Sequence, residues 1–266
     1  MDEVVLIFGS VAVVSAVSLI GVFALSVREV LLRRVLFALV ALATGAMFGN
    51  VLLHLIPEAY GEAGSMQGAG LAIIAGVLMF FVLEKVLHWH HHHATENGAY
   101  GAHIPHTGAG EPHEHDTAHL GPLVLIADAL HNALDGFIIV GAYLVSPAVG
   151  IATTVAVILH EIPQEIGDFG LLLHAGYSRA RALMWNFFSA LTAFLGAGVG
   201  LYLSGAIEGV VPYMVAFAAG NLLYIAGSDL IPELRKTTDT TRSVIQLGLL
   251  VMGVGLMAFL MQFFPR

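Results

Sequence analysis

The chain has 266 residues, 58% apolar and 11% charged, where a soluble domain has roughly a quarter of its residues charged, so a water-soluble globule and a separate soluble enzyme domain are both excluded. The formal net charge of −9 disfavours nucleic acid and anionic lipid as partners, because both reward clustered basic residues. There is no cysteine, which removes disulfides, thiolate metal sites and cysteine nucleophiles.

Apolar runs bounded by charge clusters and Gly/Pro breaks predict an all-α integral membrane protein. Its single transmembrane domain, 1–266, has eight helices, near residues 4–26, 36–59, 68–87, 120–144, 149–174, 180–203, 209–231 and 243–264. The first follows Met1-Asp2-Glu3 with no basic stretch before it and reads as a retained span rather than a cleaved signal. The first, third, fifth and seventh loops hold Arg28, Arg33, Arg34, Lys85, Arg179, Arg181, Arg235, Lys236 and Arg242, nine of the ten basic residues. By the positive-inside rule those loops are cytoplasmic and both termini extracytoplasmic, in a multi-pass protein of the cell (inner) membrane.

The second and seventh spans end alike. Leu55-Ile56-Pro57-Glu58 follows Gly49-Asn50 and His54, and Leu230-Ile231-Pro232-Glu233 follows Gly220-Asn221 and Asp229. The two spans run in opposite directions, so this pattern predicts an inverted repeat, spans one to three mirroring six to eight around the central pair four and five, as alternating-access carriers often have.

The third loop, 88–119, holds ten of the fourteen histidines, among them His90, His91, His92, His93, His113 and His115. Gly, Pro and charge dominate the rest, so the segment reads as a cytoplasmic loop, disordered without a ligand, whose clustered imidazoles bind divalent transition metals.

Spans four and five carry the chemistry. Asp128, His131, Asn132 and Asp135 stand at i, i+3, i+4 and i+7 and share one stripe of span four. On span five, His160, Gln164 and Asp168 form one stripe, with Glu161 and Glu165 beside it. Each ionisable group in hydrocarbon costs about 2.5–3.5 kcal/mol on insertion scales, so this density demands a ligand, partners or water. Pro163 removes a backbone donor, frees the Leu159 carbonyl and predicts a kink between the two ligand-bearing turns. Imidazole and carboxylate donors without thiolate suit Zn(II), Fe(II), Mn(II), Ni(II) or Cd(II). His54 is expected to face the pathway and Asp168 to stand toward the cytoplasmic exit. Asn186, Ser189, Asn221 and Asp229 are weaker candidates.

His131-Asn132-Ala133-Leu134-Asp135-Gly136 and His160-Glu161-Ile162-Pro163-Gln164-Glu165-Ile166-Gly167-Asp168 resemble the paired signatures of the ZIP divalent metal transporters. The eight spans, the outside termini and the His-rich loop extend the resemblance over essentially the whole chain. The resemblance implies uptake of zinc, or of iron, manganese or cadmium ions, into the cytosol, the metal being substrate rather than cofactor. It also implies rigid-body alternating access, a homodimer, and a binuclear site between spans four and five with His131, Asn132, Asp135, His160, Glu161 and Glu165 as ligands. Gln164 departs from that pattern, since a His or Glu is usual there; Asn50 departs likewise from a frequent Asp.

Three rivals remain at this point: a selective metal channel, a metal sensor built on the loop, and an intramembrane zinc protease. The protease requires a second histidine where Gln164 stands, on a helix that Pro163 interrupts.

Overall fold

The computed structural model describes residues 3–21, 28–94 and 120–263, with no strand among them. Helix α1, Glu3–Val17, tightens into a 3₁₀ turn at Ser18–Ile20. Helix α2, Glu29–Asn50, passes through a π-helical turn at Val51–Leu55 into α3, Ile56–Glu62. Next come α4, Met66–Ala94, α5, Leu120–Val145, and α6, Pro147–His174. Helices α7, Arg179–Ala190, and α8, Thr192–Ala206, are nearly continuous. Helix α9, Val211–Ile225, passes through a second π-helical turn at Ala226–Leu230 into α10, Ile231–Arg235, and α11, Thr240–Phe263, follows.

Among the described residues, seven helical stretches are long and apolar enough to cross a membrane: Glu3–Ile20, Val30–Glu62, Met66–Lys85, Gly121–Val145, Arg179–Ala206, Val211–Arg235 and Thr240–Leu260. They correspond to seven of the eight expected spans. The remaining one, α6, has 28 residues, about 42 Å of helix, but is too polar to qualify by composition. Its place explains how it tolerates that polarity. It packs against α1, α2, α5 and α7, and His160, Glu161 and Glu165 are turned into protein rather than lipid.

Local chemistry sets several boundaries. Ser146 and Ser178 cap α6 and α7, their hydroxyls accepting from the Val149 and Arg181 amides, as N-cap serines do. The sixth span, expected to be one helix, breaks at Leu191. Ser189 and Thr192 both hydrogen-bond backbone carbonyls there, and Thr192 donates across to the Ala129 carbonyl of α5, so side chains compete with the regular ladder. Helix α6 runs on through Pro163 without a break in assignment. The helix of the third span continues to Ala94, so the backbone of His90–His93 is helical where a loop was expected from residue 88. The expected metal binding by the loop histidines, His113 and His115 included, lies outside the described side chains.

Glycine carries the helix crossings. A methyl group on Gly45 would lie 2.0 Å from the Leu250 carbonyl oxygen, and one on Gly253 2.3 Å from that of Leu42, which locks α2 to α11 backbone to backbone. Gly76 and Gly220 do the same for α4 and α9, against the Phe217 and Ile73 carbonyls at 2.1 and 2.0 Å. Gly136 and Gly196 join α5 to α8. In lipid, where apolar surface alone gives helices little reason to associate, such close approach provides the packing energy.

The two Leu-Ile-Pro-Glu segments begin at the last residue of the two π-helical turns. Gly45 stands six residues before the first turn and Gly220 six before the second, and both are crossing glycines. That pairs Gly45 with Gly220, so the Gly49-Asn50 and Gly220-Asn221 likeness noted in the sequence falls about one helical turn out of register.

Gly253→Val should lower stability by about 1–3 kcal/mol, read as a lower melting temperature in detergent. Gly255→Val, which meets nothing within 4 Å, should stay within about 0.5 kcal/mol of the parent.

Candidate metal centre

Helices α5 and α6 lie side by side and bring His131, Asp135, His160 and Glu161 together, each buried, with ligand atoms all within 4.8 Å of one another. The His131 and His160 Nε2 atoms are 3.3 Å apart. Glu161 Oε1 lies 3.0 Å from His131 Nε2 and 3.3 Å from His160 Nε2. Asp135 Oδ2 lies 3.3 Å from His160 Nε2 and 3.8 Å from His131 Nε2. Two donors on one tetrahedral zinc, each at ~2.0–2.1 Å, stand about 3.3 Å apart, so this group has the dimensions of a coordination shell.

The hydrogen bonding agrees. Both carboxylate oxygens of Asp135 and both of Glu161 are buried without a hydrogen-bonding donor, although the imidazole nitrogens are at ion-pair distance. Leaving such oxygens dry and unmatched is costly. His160 Nδ1 lies 3.2 Å from the Ala156 carbonyl; donating there fixes the tautomer that presents the Nε2 lone pair to the centre. The edge of the Phe80 ring system packs on His131, ring centroids 5.2 Å apart. Two neutral imidazoles and two carboxylates carry −2, which a divalent cation cancels and a monovalent one does not.

Around this group sits a layer of hydrogen-bonded partners. Asn132 Nδ2 donates to Asp128 Oδ1 at 2.7 Å, and Ser189 Oγ donates to Asp128 Oδ2. Asp128, expected in the pathway, lines the cleft that opens from His131 and His160 and is hydrogen-bonded by these neighbours, outside the four-residue group. Asn186 Nδ2 donates to Glu165 Oε2, so Asn186 and Ser189 of α7 hold acids of α6 and α5. Asn132 Oδ1 and Glu165 Oε1 are buried and unpartnered, but neither residue belongs to the four-residue group.

A cleft of about 620 Å³ leads from His131 and His160 past Gln164, Asp168 and Asp229 to Glu84 and Glu233. Gln164 thus lines the cleft wall, one turn from His160. Asn221 lies elsewhere, its amide donating to the Phe217 carbonyl. His54 sits between Val51 and Leu55 of the main apolar core and does not line this cleft. Its Nδ1 is 3.0 Å from Asn50 Oδ1, and Asn50 Nδ2 donates to Thr153 Oγ1 at 3.0 Å, which ties α2 to α6. Glu84, Tyr224, Thr153 and Phe80 were not singled out in the sequence. Glu84 stands beside Lys85 at the end of an apolar run, where a charge marks a helix end; its bond from Tyr224 Oη, 2.5 Å, joins residues 140 positions apart.

His160→Ala and Asp135→Ala should each weaken zinc binding roughly a hundredfold or more, beyond what loss of an outer partner does. Asp128→Asn should stay within about tenfold of the parent; titration calorimetry on the purified protein compares them.

Comparison with known proteins gives this arrangement its context. The profile of the family described as "ZIP Zinc transporter" matches residues 3–261. The chain is 34% identical to zinc transporter ZIP13 of Homo sapiens over 255 residues, covering 82% of this chain and 69% of that protein. It is 34% identical over 234 residues to zinc transporter ZIP13 of Pongo abelii, covering 82% of this chain and 65% of that one. Metal cation symporter ZIP14 of Xenopus tropicalis is 29% identical over 286 residues, with 87% of this chain and 62% of that one covered. The chain thus spans about two thirds of the length of these relatives. It belongs to the ZIP zinc transporter family.

Proposed function

We propose that the chain carries divalent transition-metal ions, zinc foremost, across the membrane into the cytosol by alternating access through a binuclear site between α5 and α6. The observation that carries this reading is the buried His131, Asp135, His160 and Glu161 group, whose spacing and charge suit one tetrahedral divalent ion. Asn132 Oδ1 and Glu165 Oε1, buried without donors, supply oxygen to the second ion. Gln164, on the cleft wall, offers a neutral amide oxygen to a metal that is leaving and still partly hydrated.

Direction rests on the cleft. Its outer members, Leu36, Glu84, Leu123, Leu171 and Glu233, belong to the helix ends joined by the Arg/Lys-bearing loops, so the centre communicates with the cytoplasmic side. On the opposite side Met47, Leu55, Ile138, Ala152 and Val215 pack as one apolar core. On this reading the carrier faces inward. Helix α6 is the eighth crossing, and the π-helical turns with their matched glycines support the inverted repeat, which gives the carrier its two exchangeable halves. That similar proteins include a zinc transporter and a metal cation symporter supports this reading.

His131→Ala and Glu161→Ala should each abolish saturable zinc uptake into proteoliposomes while leaving melting temperature unchanged; normal flux through both would move the site elsewhere. Conductance rising linearly with driving force would replace the carrier by a channel. Gln164→His adds an imidazole donor and should tighten zinc binding severalfold or more, with slower release; an unchanged dissociation constant would remove residue 164 from the metal's path.

A further inference from the structure

A second cleft lies against the first on the cytoplasmic side. It encloses about 950 Å³ between the start of α2, the α10 end and the start of α11. Leu36, Phe37, Val40, Ile245 and Leu249 form its apolar walls, and its polar rim carries Arg33, Arg34, Lys236 and Arg242 against Glu233 and Asp239. Four basic groups face two acids, and both acids are already engaged. Lys236 Nζ donates to Glu233 Oε2, and Asp239 Oδ1 accepts from the Arg242 amide to cap α11. The rim thus carries four basic side chains to two acidic ones, although the chain as a whole is acidic.

We propose that this cleft is a binding site for an anionic phospholipid. The rim residues stand at or just beyond the ends of span-length helices, which begin at Val30 and Thr240 and end at Arg235, and the apolar wall residues lie further along those helices. A basic pocket between membrane helices on the cytoplasmic side matches an anionic headgroup with its acyl chains. A soluble anion would use the rim and leave the walls without a partner. Arg34 and Arg242 hold the headgroup phosphate, and Phe37, Val40 and Leu249 hold the upper acyl chain. Leu36, Val40 and Glu233 line both clefts, so the bound lipid forms part of the wall beside the metal's exit.

The test is lipid retention by the delipidated full-length protein, titrated with phosphatidylglycerol or phosphatidylcholine and read by native mass spectrometry. The parent should retain phosphatidylglycerol in preference, less so as salt is raised. At roughly a factor of five per basic group, the double variant Arg34→Gln with Arg242→Gln should bind it about 25-fold more weakly. Arg34→Lys with Arg242→Lys should keep most of the affinity. Unchanged zinc binding in all three proteins confirms that they are folded. Equal retention of the two lipids, or equal retention by parent and the Gln variant, overturns the proposal. So does release of bound phosphatidylglycerol by millimolar inorganic phosphate at constant ionic strength, or a protein dimer that the Gln variant dissociates with no lipid retained.

Discussion

Everything in this molecule is arranged around the difficulty of keeping two imidazoles and two carboxylates in contact inside a medium that solvates none of them. Four ionisable groups on α5 and α6, all but sealed from solvent, repel, strip one another of water and gain stability only from a shared cation or from each other. That requirement forces α6 to the middle of the bundle, since its polar face has no tolerable exposure to lipid. It also accounts for the ring of neutral donors outside the group. Asn132, Asn186 and Ser189 each hold a carboxylate, Asp128 or Glu165, without adding charge, which orients those acids beside the inner four.

Holding such a helix at the centre demands neighbours that approach one another closely. The crossing glycines on α2 and α11, on α4 and α9, and on α5 and α8 supply that.

Much of the site was legible because it is local. His131 and Asp135 lie one turn apart on one helix, and His160 and Glu161 are adjacent on the next, so periodicity alone brought them to a common face. Hydropathy found the apolar helices for the same reason. What periodicity does not encode is which distant groups meet. Asn186 on Glu165, Ser189 on Asp128, Tyr224 on Glu84 and Asn50 on Thr153 join residues 21, 61, 140 and 103 positions apart. Their partners are set by how the helices pack in register, which no single span reveals. The Gly-Asn likeness fails by simple counting, since Gly49 stands six residues before Leu55 and Gly220 ten before Leu230. A total charge of −9 likewise says nothing of where the few guanidinium groups gather.

The two π-helical turns have a consequence for how these spans tolerate change. Each holds one residue more than an ordinary turn needs, and an α-helical residue turns the chain by about 100°. Losing a single residue from Val51–Leu55 or Ala226–Leu230 would leave an unbroken and more regular helix, yet would swing everything beyond it, proline and glutamate included, by more than a quarter of a circle. Length variation at these two points is therefore invisible to measures of helicity while it re-aims the last turn or two of each span.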